Sequence, residues 1–111
     1  MDDKMLMPLE FKDDRVFYME VDPQAFLHEL PSLFYRNYKH MLGNKMHLID
    51  FNENQVELMI GKGNIFSYIL NRFDNLVNIY GLQDGGRIKL VYVGENVFVL
   101  TKVRDNNMVK K

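Results

Sequence analysis

Arg87-Ile88-Lys89-Leu90-Val91-Tyr92-Val93, then Gly94-Glu95-Asn96, then Val97-Phe98-Val99-Leu100-Thr101-Lys102-Val103: two β-branched and aromatic runs of strand length around a glycine-led turn read as a β-hairpin. The same grammar occurs upstream. Met46 and Leu48 alternate with His47 and Ile49, Asn52-Glu53-Asn54 offers a turn, and Val56, Leu58 and Ile60 alternate with Gln55, Glu57 and Met59. After Gly61-Lys62-Gly63-Asn64, the run Ile65-Phe66-Ser67-Tyr68-Ile69-Leu70 predicts a third strand, and the stretch from Arg15 to Val21 predicts an opening strand closed by Asp22-Pro23. Alanine occurs once and asparagine eleven times, a balance suited to strands joined by turns rather than to a helical bundle.

Two segments depart from this pattern. Pro31 suits a first helical turn, Leu33, Phe34, Tyr38 and Met41 follow at helical spacing, and Gly43 offers a left-handed stop, which predicts a helix of about three turns. Asn71 is placed to cap a second short helix with Asp74 at its third position, an apolar face of Phe73, Leu76, Val77 and Tyr80, and Gly81 at its end. The order of elements predicts a mostly β, closed or nearly closed antiparallel barrel with helices plugging its ends. One domain is expected over residues 15–104, with a frayed extension at 1–14 and a tail at 105–111.

The 111 residues, 47% hydrophobic and 26% charged, suit one compact domain. With no cysteine, a disulfide framework, a thiolate metal site and a cysteine nucleophile are excluded, and a reducing compartment is the expectation. No apolar run approaches the ~18–20 residues that cross a bilayer, and Met1-Asp2-Asp3-Lys4 is unlike a basic signal-peptide start; a soluble intracellular protein is expected, without membrane contact. The net charge of −1 argues against indiscriminate polyanion binding, but it hides an asymmetry. Residues 1–30 carry eight acids against three bases, and the remainder eleven bases against seven acids.

Motifs for catalysis and cofactors fail on their spacing. His28, His40 and His47 match no zinc pattern; Asp50, Asn52 and Asn54 imitate a calcium loop, but Gln55 and Gly61 stand where its glycine and bidentate glutamate belong. Gly61-Lys62-Gly63 precedes a strand, not the helix that a phosphate loop opens. Ser32 and Ser67 lack a nucleophile-elbow context, so neither an enzyme, a small-molecule substrate, a metal nor a cofactor is expected. Eight methionines are read as core fillers, Met46 on a strand and Met41 on a helix.

Residues 17–103 resemble the plant-specific B3 DNA-binding domain. The likeness runs from Val16-Phe17-Tyr18 through Asp22-Pro23 to Leu27-His28-Glu29-Leu30-Pro31-Ser32-Leu33-Phe34, which is similar to the family's approach to its first helix. It continues in Tyr68-Ile69-Leu70, Phe73, Leu76-Val77-Asn78 and the turn Leu82-Gln83-Asp84-Gly85-Gly86, and closes on Ile88, Leu90, Tyr92, Gly94 and Phe98-Val99. The resemblance implies a seven-stranded open antiparallel pseudobarrel with two short α-helices. It also implies a plant nuclear regulator of transcription that grips the major groove of double-stranded DNA with two arms, one after the first strand and one before the Tyr68 strand.

Carried over residue by residue, the resemblance assigns DNA contact to Lys62, Asn64, Ser67 and Arg72 on the second arm, with Arg15 and Lys45 as further cations. Lys62 and Arg72 suit phosphates, and Asn64 an adenine edge. The family's glycine-tryptophan pair is replaced by Arg72-Phe73. On the first arm Met19 stands where the family often has lysine, beside Glu20, Asp22 and Glu29, and carboxylates repel phosphates. These departures motivate an alternative, a protein-interaction or self-associating module on a B3-like fold. Convergence of Lys62, Arg72, Lys45 and Arg15 on one concave face would favour DNA; scattered cations would favour the module.

Overall fold

The computed structural model describes residues 13–106. A 3-10 turn (Asp13–Arg15) leads into β1 (Val16–Val21), followed by β2 (His28–Glu29), α1 (Ser32–Tyr38), a second 3-10 turn (Lys39–Met41), β3 (Lys45–Ile49), β4 (Gln55–Lys62), β5 (Ser67–Ile69), α2 (Asp74–Tyr80), β6 (Gly86–Gly94) and β7 (Val97–Asp105). The seven strands lie in the order β1-β6-β7-β3-β4-β5-β2, a nearly closed, mostly β pseudobarrel with two helices. All neighbours are antiparallel except β3 and β7, which run parallel in the register His47↔Val97 and Leu48↔Phe98. The sheet is thus antiparallel as expected, save for that one parallel pair. Its physical basis is the long crossover between the two hairpins, since a tight turn joins only antiparallel strands.

The hairpins follow the alternation in the sequence. Val56, Leu58 and Ile60 of β4 and Met46 and Leu48 of β3 face inward, whereas Gln55, Glu57 and Met59 face out. The β6–β7 turn is made by Gly94, Glu95 and Asn96, all at positive φ. The β3–β4 turn is closed by Asp50, whose Oδ1 accepts the backbone N–H groups of Asn52 and Asn54 at 2.9 Å each, while its Oδ2 accepts the Asn54 side-chain amide and the Tyr80 hydroxyl. The calcium-like spacing is thus occupied by hydrogen-bond donors from the protein itself.

The helices are shorter than their periodicity suggests. α1 gives way after Tyr38 to the 3-10 turn, and its buried face is Phe34, Tyr35 and Tyr38; Leu33 and Met41, expected in the core, are exposed. Gly43 is not left-handed. Its N–H donates to Asn96 Oδ1 at 2.9 Å, and a Cβ there would lie 2.8 Å from Asn96 Nδ2, so a side chain at this position would displace the Asn96 amide. Phe73, not Asn71, is the residue flanking α2; Asn71 Oδ1 accepts the Met59 N–H at 2.6 Å instead, and Gly81 ends the helix at φ 70° as expected.

α1 closes the end where β4 stops and β1 and β7 begin, and α2 closes the other, where Tyr80 meets the β3–β4 turn. An aromatic cluster of Phe17, Phe34, Tyr38, Tyr92 and Phe98 fills the α1 end, with centroid separations from 4.5 to 6.2 Å. Tilted and edge-on pairs of this kind contribute about 0.5–1.5 kcal/mol each beyond the area they bury. β7 continues to Asp105, and Asn106 donates to Asp84 O at 3.1 Å. The extension expected at 1–14 and the tail from 105 lie mostly outside the described residues.

Candidate nucleic-acid interface

The two arms lie at opposite ends of the short β2–β5 ribbon, whose register is His28↔Ile69 and Glu29↔Tyr68. The loop of residues 22–27 enters β2. The turn of residues 63–66 enters β5, which continues pairing with β4 through Lys62↔Ser67.

The 63–66 turn is held by a hydrogen bond of its own and by two side chains from the α1 side. Gly63 N–H donates to Phe66 O at 2.9 Å, and a Cβ on Gly63 would meet that same carbonyl at 2.8 Å. From the α1 side, the Tyr35 hydroxyl donates to Gly63 O at 2.5 Å and the Lys39 ammonium to Asn64 O at 2.6 Å. Lys62 Nζ donates to Leu42 O. These lysines are bound by neutral carbonyls, and among the described residues neither has an ion pair with a carboxylate. The result is a pre-shaped turn carrying two positive charges at its base and Asn64, Ile65 and Phe66 exposed at its tip.

The first arm is built differently. Asp22 N–H donates to His28 Nε2 at 3.0 Å, and Gln24 N–H to Asp22 Oδ1 at 3.0 Å, which fixes the loop's start. Arg72 reaches across to donate to Pro23 O at 3.3 Å, lies 5.0 Å over the Phe26 ring and pairs with Asp74 at 3.5 Å. The exposed tip is Phe26-Leu27, and Asp22 and Glu29 are exposed beside it.

The residues singled out from the sequence therefore do not share one face. Lys62 and Asn64 meet at the second arm, joined by Lys39. Arg72 belongs to the first arm, tied to Pro23 and Asp74. Lys45, on the outer face of β3, pairs with Glu57 at 3.9 Å. Arg15 is turned onto the barrel end, donating to Tyr92 O at 3.1 Å and lying over the rings of Tyr38 and Tyr92 at 5.3 and 5.6 Å. Ser67 is 0% exposed, with its hydroxyl unpartnered among the described residues. Assignment of Ser67 to DNA contact is corrected, because the pleat of β5 turns odd-numbered side chains inward. Met19 is likewise inside at 5% exposure, and the outward positions of β1 are Tyr18 and Glu20.

Two groups of cations were missed in the sequence. Lys39 stands four residues after Tyr35 on one side of the α1 region, a spacing that could have linked the two. Arg87 and Lys89 stand opposite Arg104 and Lys102 only because the register of the β6–β7 hairpin shifts between Lys89 and Leu90, which alternation in the sequence did not reveal.

Neither a protein-family model nor a curated protein matches the chain. Among solved structures, the chain is similar to a hypothetical protein of Arabidopsis thaliana, at 15% identity and a TM-score of 0.61, over 86% of this chain and 96% of that one. It is also similar to the Arabidopsis FUS3 protein in its complex with DNA, at 18% identity and a TM-score of 0.48, over 90% and 92% of the two chains. The chain shares its pseudobarrel fold with the first of these, and at such identities the likeness is one of fold alone.

Proposed function

We propose that the chain binds double-stranded DNA through the 63–66 turn, as part of a plant nuclear regulator of transcription, and that it is a binding protein rather than an enzyme. The carrying observation is the pinned turn with Lys39 and Lys62 behind Asn64. Two ammonium groups at its base suit phosphates, and the exposed amide of Asn64 has the donor and acceptor that match an adenine edge in the major groove. Arg72 supports the other arm, partly neutralised by Asp74. Fluorescence anisotropy against mixed-sequence duplexes tests this. Affinity should fall with salt at a logarithmic slope of about −0.9 per phosphate neutralised, and the Lys39→Glu, Lys62→Glu double variant should lose it. No binding at about 50 mM salt and tens of micromolar protein would refute the proposal.

A second reading rests on a separate observation. The arm tips are apolar, with Phe26 69% and Ile65 68% exposed, and beside the first stand the exposed acids Asp22 and Glu29 together with Arg72. Together with the scatter of Lys62, Arg72, Lys45 and Arg15, this favours a protein-interaction or self-associating module. Light scattering separates the readings: a module self-associates or captures a protein partner, and Phe26→Ser with Ile65→Ser abolishes that while leaving the core intact.

A further inference from the structure

Four cations among the described residues lie together on neither arm. On the outer surface of β6 and β7 the register sets Arg87 opposite Arg104 and Lys89 opposite Lys102, two like-charged pairs in succession. Neighbouring strands hold directly opposed side chains about 5 Å apart, and alternate residues along a strand follow at about 7 Å, so four cations form a compact rectangle. Tyr18 of β1 completes it, with Arg87 and Lys89 at 4.8 and 5.7 Å from its ring centre. The group rims a shallow depression of about 480 Å³.

The charge on this face is poorly compensated. Glu20 pairs with Arg87 at 3.3 Å, but among the described residues Lys89, Lys102 and Arg104 have no ion pair. Like charges placed directly opposite across a ladder destabilise it, and a bound polyanion removes that repulsion. The register shift between Lys89 and Leu90 is what sets Lys102 and Arg104 on the outward face opposite Lys89 and Arg87. Arginine presents a planar fork that binds phosphate oxygens in pairs, and two arginines face each other here. The depression has no ridge of exposed aliphatic side chains of the kind that inserts into a lipid interface.

We propose that the outer face of the β6–β7 hairpin, with Tyr18, is a sequence-independent contact surface for the phosphate backbone of duplex DNA, separate from the two arms. It does not depend on the 63–66 turn, and it adds positive charge to that of Arg72, which Asp74 partly neutralises on the first arm.

The test uses the whole chain and the double variant Lys102→Glu, Arg104→Glu, both exposed and outside the core. Binding of mixed-sequence duplexes is followed by anisotropy across a salt series, beside the Lys39→Glu, Lys62→Glu arm variant. The β7 variant should weaken binding by a similar factor on every sequence and make the salt slope shallower by about 0.9 for each phosphate no longer neutralised, with a melting temperature at least that of the parent. Loss confined to the arm variant, with the β7 variant unchanged in affinity and slope, overturns this inference and leaves the arm reading standing. Loss confined to the β7 variant has the opposite meaning. If no duplex binds, or if vesicles containing phosphatidylserine bind through these residues and duplexes do not, the inference fails.

Discussion

The imidazole of His28 lies flat on the ring of Phe73, with centroids 3.8 Å apart and 8° between the planes. This contact joins the beginning of β2 to the start of α2. A separate hydrogen bond sets the tautomer of the neutral ring: Nε2 accepts the Asp22 N–H, which leaves the proton on Nδ1, buried and unpartnered among the described residues. Burial lowers the His28 pKa from its ordinary value of 6.5, and the nearby Asp22 carboxylate offsets only part of that.

The folded state consequently holds fewer protons on His28 than the unfolded chain. Stability from this group is complete above about pH 6.5 and declines as the pH falls from there through the lower folded value. Thermal melts between about pH 8 and pH 5 should show that decline, and His28→Gln should flatten it. A profile of unchanged shape in the variant would rule out His28 as its source.

Asp50 titrates at the acid extreme. Its carboxyl is held down to about 2, chiefly by the Tyr80 hydroxyl and then by the Asn54 side chain and backbone. The Tyr80 hydroxyl is raised in turn by burial and by that same carboxylate. Stability from the charged Asp50 is present above the unfolded carboxylate value near 3.8 and is lost as the pH falls through about 2. Asp50→Asn should therefore lower the melting temperature at neutral pH and converge with the parent below about pH 2. Denaturation curves at both pH values check this.

Tyr35→Phe removes the hydroxyl that holds Gly63 O and leaves the buried ring in place. It should cost about 1 kcal/mol in denaturant unfolding. If the turn is the DNA-contacting element, duplex affinity should drop as well, because a looser turn must be ordered on binding. Unchanged affinity would detach the pinned geometry from function.

Ser67→Ala deletes a buried hydroxyl that has no partner among the described residues. Its melting temperature should be unchanged or higher, and duplex affinity unaffected. A loss of affinity would mean that β5 rearranges to bring Ser67 to the surface.

Much of the architecture was legible because alternation of apolar residues is a local signal. Met46 through Ile60, and Ile88 through Leu100, specify inward and outward faces before any contact is known. The misreadings occurred where a distant partner decides the outcome. Gly43 answers to Asn96, Asn71 to the Met59 backbone, and Met41 is left outside because the helix gives way after Tyr38. The candidate interface was less legible still. Lys62, Asn64, Ser67 and Arg72 are near one another in sequence, but a pleated strand separates them onto different faces and ends.

By itself, the sequence determined a single mostly β barrel plugged by two short helices, because side-chain period and turn chemistry are properties of neighbouring residues. Only the tertiary structure decided where the charge lies. It spread Arg15, Lys45 and Arg72 over different partners, gathered Lys39 and Lys62 behind one turn, and aligned Arg87, Lys89, Lys102 and Arg104 on a single face. Electrostatic attraction depends on distance in space, and strand register, here with its shift between Lys89 and Leu90, is what sets that distance.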